Sequence, residues 1–81
     1  MTQIEVISRL QTIFDNLFME NVVLTPELSA DDVEEWDSQT QINLEVAVEN
    51  AFNISFRVGE TQATKNVGEF ADLIIRRMNG A

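Results

Sequence analysis

Hydrophobic positions recur with helical spacing in three separate stretches of the chain. Near the start, Ile4, Ile7, Leu10, Phe14 and Leu17 follow one another at steps of three and four, along one face of a helix. Thr2 and Glu5 fit a capping box at its start, in which hydroxyl and carboxylate each satisfy a backbone donor. This helix is expected to end between Asn16 and Met19. A connection over residues 20–36 follows, with Val22, Val23, Leu24 and Leu28 set around Pro26. Connections this long are uncommon in small domains, and the apolar residues predict one pinned to the core. Trp36, the only tryptophan, closes it and is expected to pack inward and anchor the next helix, with a partner contact as the alternative.

The second helix is predicted from Ser38 to Ala51 or Phe52. At about 100° per residue, Leu44, Ala47, Val48, Ala51 and Phe52 group on the core side. Ile42 and Val46 fall on another side, close in azimuth to Ser38, Glu45 and Glu49. A helix apolar over more than one stripe is either central in the core or partly exposed for a partner. Ile54, Phe56 and Val58 then alternate as in a strand, but nothing in the chain would pair with it. The expectation is an extended linker pinned by those three residues, a turn at Gly59 and a short helical turn near Glu60 to Ala63. Asn66 and Glu69 open the last helix, whose inner face carries Val67, Phe70, Ile74 and Met78, with Leu73 alongside. Arg76 and Arg77 suit the negative pole at its end. The fold expected is all-α: a small antiparallel bundle of three main helices plus one short helical turn, with a long loop between the first two helices. It forms one domain over residues 2–78, with a tail at 79–81.

Length and charge narrow what such a bundle can do. Eighty-one residues support a single core. Fourteen acids against five bases give a net charge of −9, which repels nucleic acid and anionic lipid and attracts basic protein surfaces. Six of the acids fall between Glu27 and Asp37 with no base among them. There is no cysteine and no histidine, so disulfides, thiolate metal sites and the usual general base are all missing. The chain carries no signal-peptide pattern and no apolar run long enough to span a bilayer. A cytoplasmic monomer that binds neither nucleic acid nor membrane nor metal is expected.

Ser38 is the residue whose role stays open. Asp37 or Ser38 is a preferred N-cap, and Ser38 with Gln41 spells a capping box. As a hydrolytic nucleophile the serine lacks a base, since the chain has no histidine and only Lys65 as an amine side chain. The acidic loop lacks the spacing of a calcium-binding EF-hand, and no glycine-rich phosphate loop is present. No catalytic residue is expected.

In this region the sequence resembles the acyl carrier protein family. That family is marked by an Asp-Ser pair opening its second helix, read here as Trp36-Asp37-Ser38 and followed by Ile42, Leu44, Val46 and Val48. Glu49, Phe52, Ile54 and Glu60 come next, then Asn66-Val67-Gly68 with Phe70, Leu73 and Ile74. The match runs from about residue 2 to 78 in the same order. The resemblance implies that a phosphopantetheinyl transferase attaches 4′-phosphopantetheine to Ser38, with Asp37 orienting the serine. The arm's thiol would then carry an acyl group as a thioester to acyl-activating, acyl-transferring or synthase enzymes with basic docking patches. Fatty acid, lipid or polyketide-type biosynthesis is the implied setting. Gln39, Ile42, Glu45, Val46 and Glu49 would form the recognition face. Gln39 replaces the leucine or methionine usual after the serine, and Asn43 and Asn50 thin the usual acids of the second helix. Glu35 stands where glycine often precedes the tryptophan. These departures imply a specialised member with dedicated partners. An aminoacyl or peptidyl carrier, or an unmodified interaction module, are the alternatives.

Overall fold

The computed structural model describes residues 1–80; Ala81, the end of the expected tail, lies outside the described residues. Within the described residues, three α-helices make the fold: α1 (Gln3–Leu17), α2 (Ser38–Phe52) and α3 (Val67–Met78). Among the described residues there is no strand. Two 3₁₀ turns interrupt the connections, at Ala30–Asp32 and Thr61–Ala63. The second turn matches the expectation. The first was not legible in the sequence; Asp32 makes it by accepting the Ser29 N–H at 3.0 Å.

Helix α1 begins as expected: Thr2 Oγ1 accepts the Glu5 N–H and Glu5 returns a carboxylate to the Thr2 N–H at 2.8 Å. Its inner stripe is Val6, Leu10 and Phe14, continued by Phe18 at the cap. Ile4, expected on this face, is 80% exposed. The reason is helical drift: at about 100° per residue Ile4 points roughly 120° away from Leu10, while Val6 lies close to it. In α2, Leu44, Val48 and Phe52 are buried, whereas Ala51 is exposed although its azimuth matches Leu44. Azimuth gives a direction; only the packing decides whether a neighbour waits there. In α3, Val67, Phe70, Ala71, Leu73 and Ile74 are buried, while Met78, expected inside, is partly exposed in the last turn. Each fully buried aliphatic or aromatic side chain contributes about 1.5–3 kcal/mol, so these stripes are the main source of stability.

The long loop is held by side chains from the helices as much as by its own apolar residues. Val22, Leu24 and Val33 are buried as anchors, and Val23 faces solvent. The Gln11 amide clamps the loop twice, donating to Val22 O at 2.6 Å and accepting from Leu24 N at 2.9 Å. The Glu35 carboxylate accepts the N–H groups of Met19 at 3.1 Å and Glu20 at 2.7 Å, just past the end of α1. The acid at position 35 therefore fixes the loop. Further on, the first two N–H groups of α3 donate to loop carbonyls, Val67 to Leu28 at 2.8 Å and Gly68 to Pro26 at 2.9 Å. A Cβ on residue 68 would meet Pro26 O at 3.1 Å and Pro26 Cβ at 3.2 Å, so glycine is what allows this approach.

After α2, Asn53 takes the left-handed conformation with φ 56°, a common way to end a helix. Ile54 and Phe56 of the linker are partly buried against the core, but Val58, expected to pin it as well, is fully exposed. Glu60 does the pinning instead: it accepts the Arg57 N–H at 3.1 Å and pairs with Arg77 of α3 at 3.6 Å.

Candidate functional site

Residue Asp37, not Ser38, caps α2. Its carboxylate accepts the N–H groups of Gln39 and Thr40, both at 3.0 Å. The reciprocal half of the capping box comes from Thr40, whose hydroxyl accepts the Asp37 N–H at 2.7 Å and donates to Glu35 O at 2.7 Å. The Ser38–Gln41 box read from the sequence does not form, because a carboxylate one residue earlier reaches the same donors as a charged and stronger acceptor. The Thr40 N–H above all, with the Thr40 hydroxyl and the Gln39 N–H, holds the Asp37 carboxyl below the usual carboxylate range. Ser38 is thus the first residue of the helix, exposed, and its hydroxyl has no hydrogen-bond partner among the described residues.

Gln41 has a different task. Its Oε1 accepts the Trp36 indole N–H at 2.6 Å, and its Nε2 donates to Glu45 at 3.3 Å. Trp36 packs edge-on against Phe14, with ring centroids 5.1 Å apart, and against Phe18 at 6.3 Å. The expected anchoring by Trp36 is therefore found: one face of the indole ties the start of α2 to α1, and its N–H ties it to the second turn of α2.

Beside Ser38 lies a cleft of about 330 Å³. One wall is the start of α2, with Ser38 and Ile42; the other is the second 3₁₀ turn and the approach to α3, with Thr61, Thr64 and Lys65. Trp36 and Phe70 also line it. Sequence reasoning passed over Thr61, Thr64 and Lys65, because nothing in their spacing links them to Ser38; the fold brings them together. Among the described residues, Lys65 is the only basic one on this cleft.

No family model matches the chain, and no curated protein does. Among solved structures it is similar to the solution NMR structure of a holo acyl carrier protein from Geobacter metallireducens, with 39% sequence identity and a TM-score of 0.84. The likeness covers 93% of this chain and 87% of that one. The chain belongs to the acyl carrier protein family.

On the outer face of this acyl carrier protein, Ile42 and Val46 are 56% and 52% exposed. Gln39 is exposed and leans along the helix toward Asn43, with Nε2 to Oδ1 at 3.5 Å. Glu45 is half-buried beside Gln41. Glu49 is drawn into the fold: its carboxylate accepts the Phe56 N–H at 2.8 Å and so fastens the linker to α2. The five residues lie on one helix, but one of them already has structural work. Among the described residues, no helix is long and apolar enough to cross a membrane.

Proposed function

We propose that this protein carries an acyl group as a thioester on a 4′-phosphopantetheine arm attached to Ser38, placed there by a phosphopantetheinyl transferase. The observation that carries this reading is the Ser38 hydroxyl: exposed, released from capping by Asp37, and at the edge of a cleft. The residues fit the group. An ester at Oγ disturbs no hydrogen bond of the fold, and the cleft offers hydroxyl and amide walls beside apolar ones to a chain that carries amides and methyl groups. The holo state of the similar carrier supports the same conclusion. When bound, the arm supplies a thiol that a chain without cysteine lacks.

The protein's own residues hold and present the attachment point. Asp37 and Thr40 fix the turn before Ser38, and Trp36 with Gln41 fixes that turn to the bundle. Partner enzymes dock on Gln39, Ile42, Glu45 and Val46, with Glu49 at the margin. The net charge of −9 steers the carrier to basic patches on them, giving fast and salt-sensitive encounters. Gln39 puts an amide where an apolar contact would otherwise sit, which fits dedicated partners in a fatty acid, lipid or polyketide-type pathway. The carrier domain spans residues 2–78, with residues 79–81 as a tail.

Co-expression with a broad-specificity phosphopantetheinyl transferase, followed by intact-mass measurement, tests the assignment. One phosphopantetheine should be added to the native chain and none to Ser38→Ala. Addition that persists in Ser38→Ala would place the arm elsewhere.

A further inference from the structure

A phosphodiester on Ser38 meets a first turn whose donors are mostly taken already. Three N–H groups of α2 lack helical carbonyl partners there, and the Asp37 carboxylate takes those of Gln39 and Thr40. Only the Ser38 N–H remains to face a new anion, and the neighbouring carboxylate repels it. The dipole and donors that usually make a helix start attractive to phosphate are therefore largely spent. Compensation must come from elsewhere in a chain with fourteen acids and five bases.

Lys65 is the one cation on the cleft that Ser38 borders, and its ammonium makes no ion pair among the described residues. Its backbone is fixed, with its N–H donating to Glu69 at 3.0 Å, just before the Asn66 cap of α3. Beside it on the same wall stand Thr61 and Thr64, the latter's hydroxyl donating to Thr61 O at 2.6 Å. Among the described residues Arg77 Nε is the one buried side-chain polar atom without a partner, so the Thr61 hydroxyl reaches solvent at the cleft, where an amide of the arm can bond it.

We infer that Lys65 is a positioning residue that pairs with the arm's phosphodiester and seats the arm in this cleft, against Thr61 and Thr64, between visits to partners. The inference rests on Ser38 bearing the arm. Lys65 sets a docked population; it takes no part in attachment, which happens at Oγ. The docked arm would keep its thioester close to the bundle, and the basic patch of a partner enzyme would compete for the phosphate and release it.

The test uses the holo-protein, with one phosphopantetheine per chain confirmed by intact mass for every variant. A native chain that gains no such mass would overturn the function itself; all later outcomes concern Lys65 alone. Phosphorus NMR reads the phosphodiester, and amide shifts of Thr61 and Thr64, compared between unmodified and holo forms, read docking. In Lys65→Ala the phosphorus signal should move toward that of free phosphopantetheine, and the holo-dependent shifts at Thr61 and Thr64 should shrink. The docked population should fall roughly two- to fivefold, the scale of one solvent-facing charge contact. Lys65→Arg should restore both signals, and Lys65→Gln should not. Thr61→Val should weaken the docking shifts while leaving the phosphorus signal near its native position. A Lys65→Ala holo-protein with unchanged phosphorus signal and unchanged shifts at both threonines would overturn the inference.

Discussion

Replacing Gln11 with alanine tests whether the long loop is held by one side-chain amide. Gln11 gives two hydrogen bonds to the loop backbone, to Val22 O at 2.6 Å and from Leu24 N at 2.9 Å. Truncation leaves both backbone groups without their partner in a partly buried place. At about 0.5–1.5 kcal/mol for each bond, the loss should be about 1–3 kcal/mol. Small domains hold about 0.05–0.15 kcal/mol per residue, so that is a large share of what 81 residues can have. An unfolding entropy of about 2.1 cal/mol/K per residue makes 1 kcal/mol worth about 6 °C here, so the melting temperature should drop by about 6–18 °C. The fall should also be local. The Leu24 amide should exchange hydrogen faster than amides in the middle of α1, because its acceptor has gone while the helix keeps its own ladder. Gln11→Glu separates the two bonds: it keeps an acceptor for Leu24 but sets a carboxylate against the Val22 carbonyl, and should recover stability as pH falls and the acid is protonated. Calorimetry with amide exchange reads all of this. A Gln11→Ala protein within about 0.5 kcal/mol of the native chain, with Leu24 exchange unchanged, would show that Val22, Leu24 and Val33 hold the loop by burial alone.

Three further outcomes are expected. Ser38→Ala should alter stability by less than about 0.5 kcal/mol because its hydroxyl bonds nothing among the described residues, whereas Asp37→Ala should lower the melting temperature clearly more through loss of the cap; equal losses on thermal melting would return the capping role to Ser38. The lowered carboxyls of Asp37 and Glu5, the latter held down first by the Thr2 N–H, stabilise the fold above the ordinary carboxylate range and stop doing so as pH falls through their folded values. Asp37→Asn keeps a cap that does not titrate, so its melting temperature should decline less steeply than the native chain's between roughly pH 5 and 2; parallel curves would count against the assignment. With a net charge of −9, added salt should raise the melting temperature, and a value that stays flat across a wide salt range would mean that self-repulsion is not a significant cost.

Crowded acids alone would push carboxyl groups up, yet at Glu5 and Asp37 the shift is downward. Short-range donors at a helix start outweigh a diffuse field that water screens. The same contrast between local and distant effects runs through the whole fold.

What the sequence determined by itself is what neighbours within a turn or two can settle. The three helices, the Thr2–Glu5 box, the cap at Asn66 and the placing of Ile42 and Val46 on a side of α2 away from its core stripe all follow from spacing and from groups at most four residues apart. The Asp-Ser pair at the start of α2 was equally legible, though which of the two does the capping was not. That depended on whether a carboxylate could reach two N–H groups at once, a matter of backbone geometry before the helix. Tertiary structure alone decided the rest. Gln11 gripping Val22 and Leu24, Glu35 closing the end of α1, and α3 drawing its first acceptors from Pro26 and Leu28 all join residues far apart in the chain. The cleft is of the same kind, since Ser38 and Lys65 share it only because α2 and α3 pack as they do. Periodicity records the direction in which a side chain points; the chain must close on itself before anything stands there to meet it.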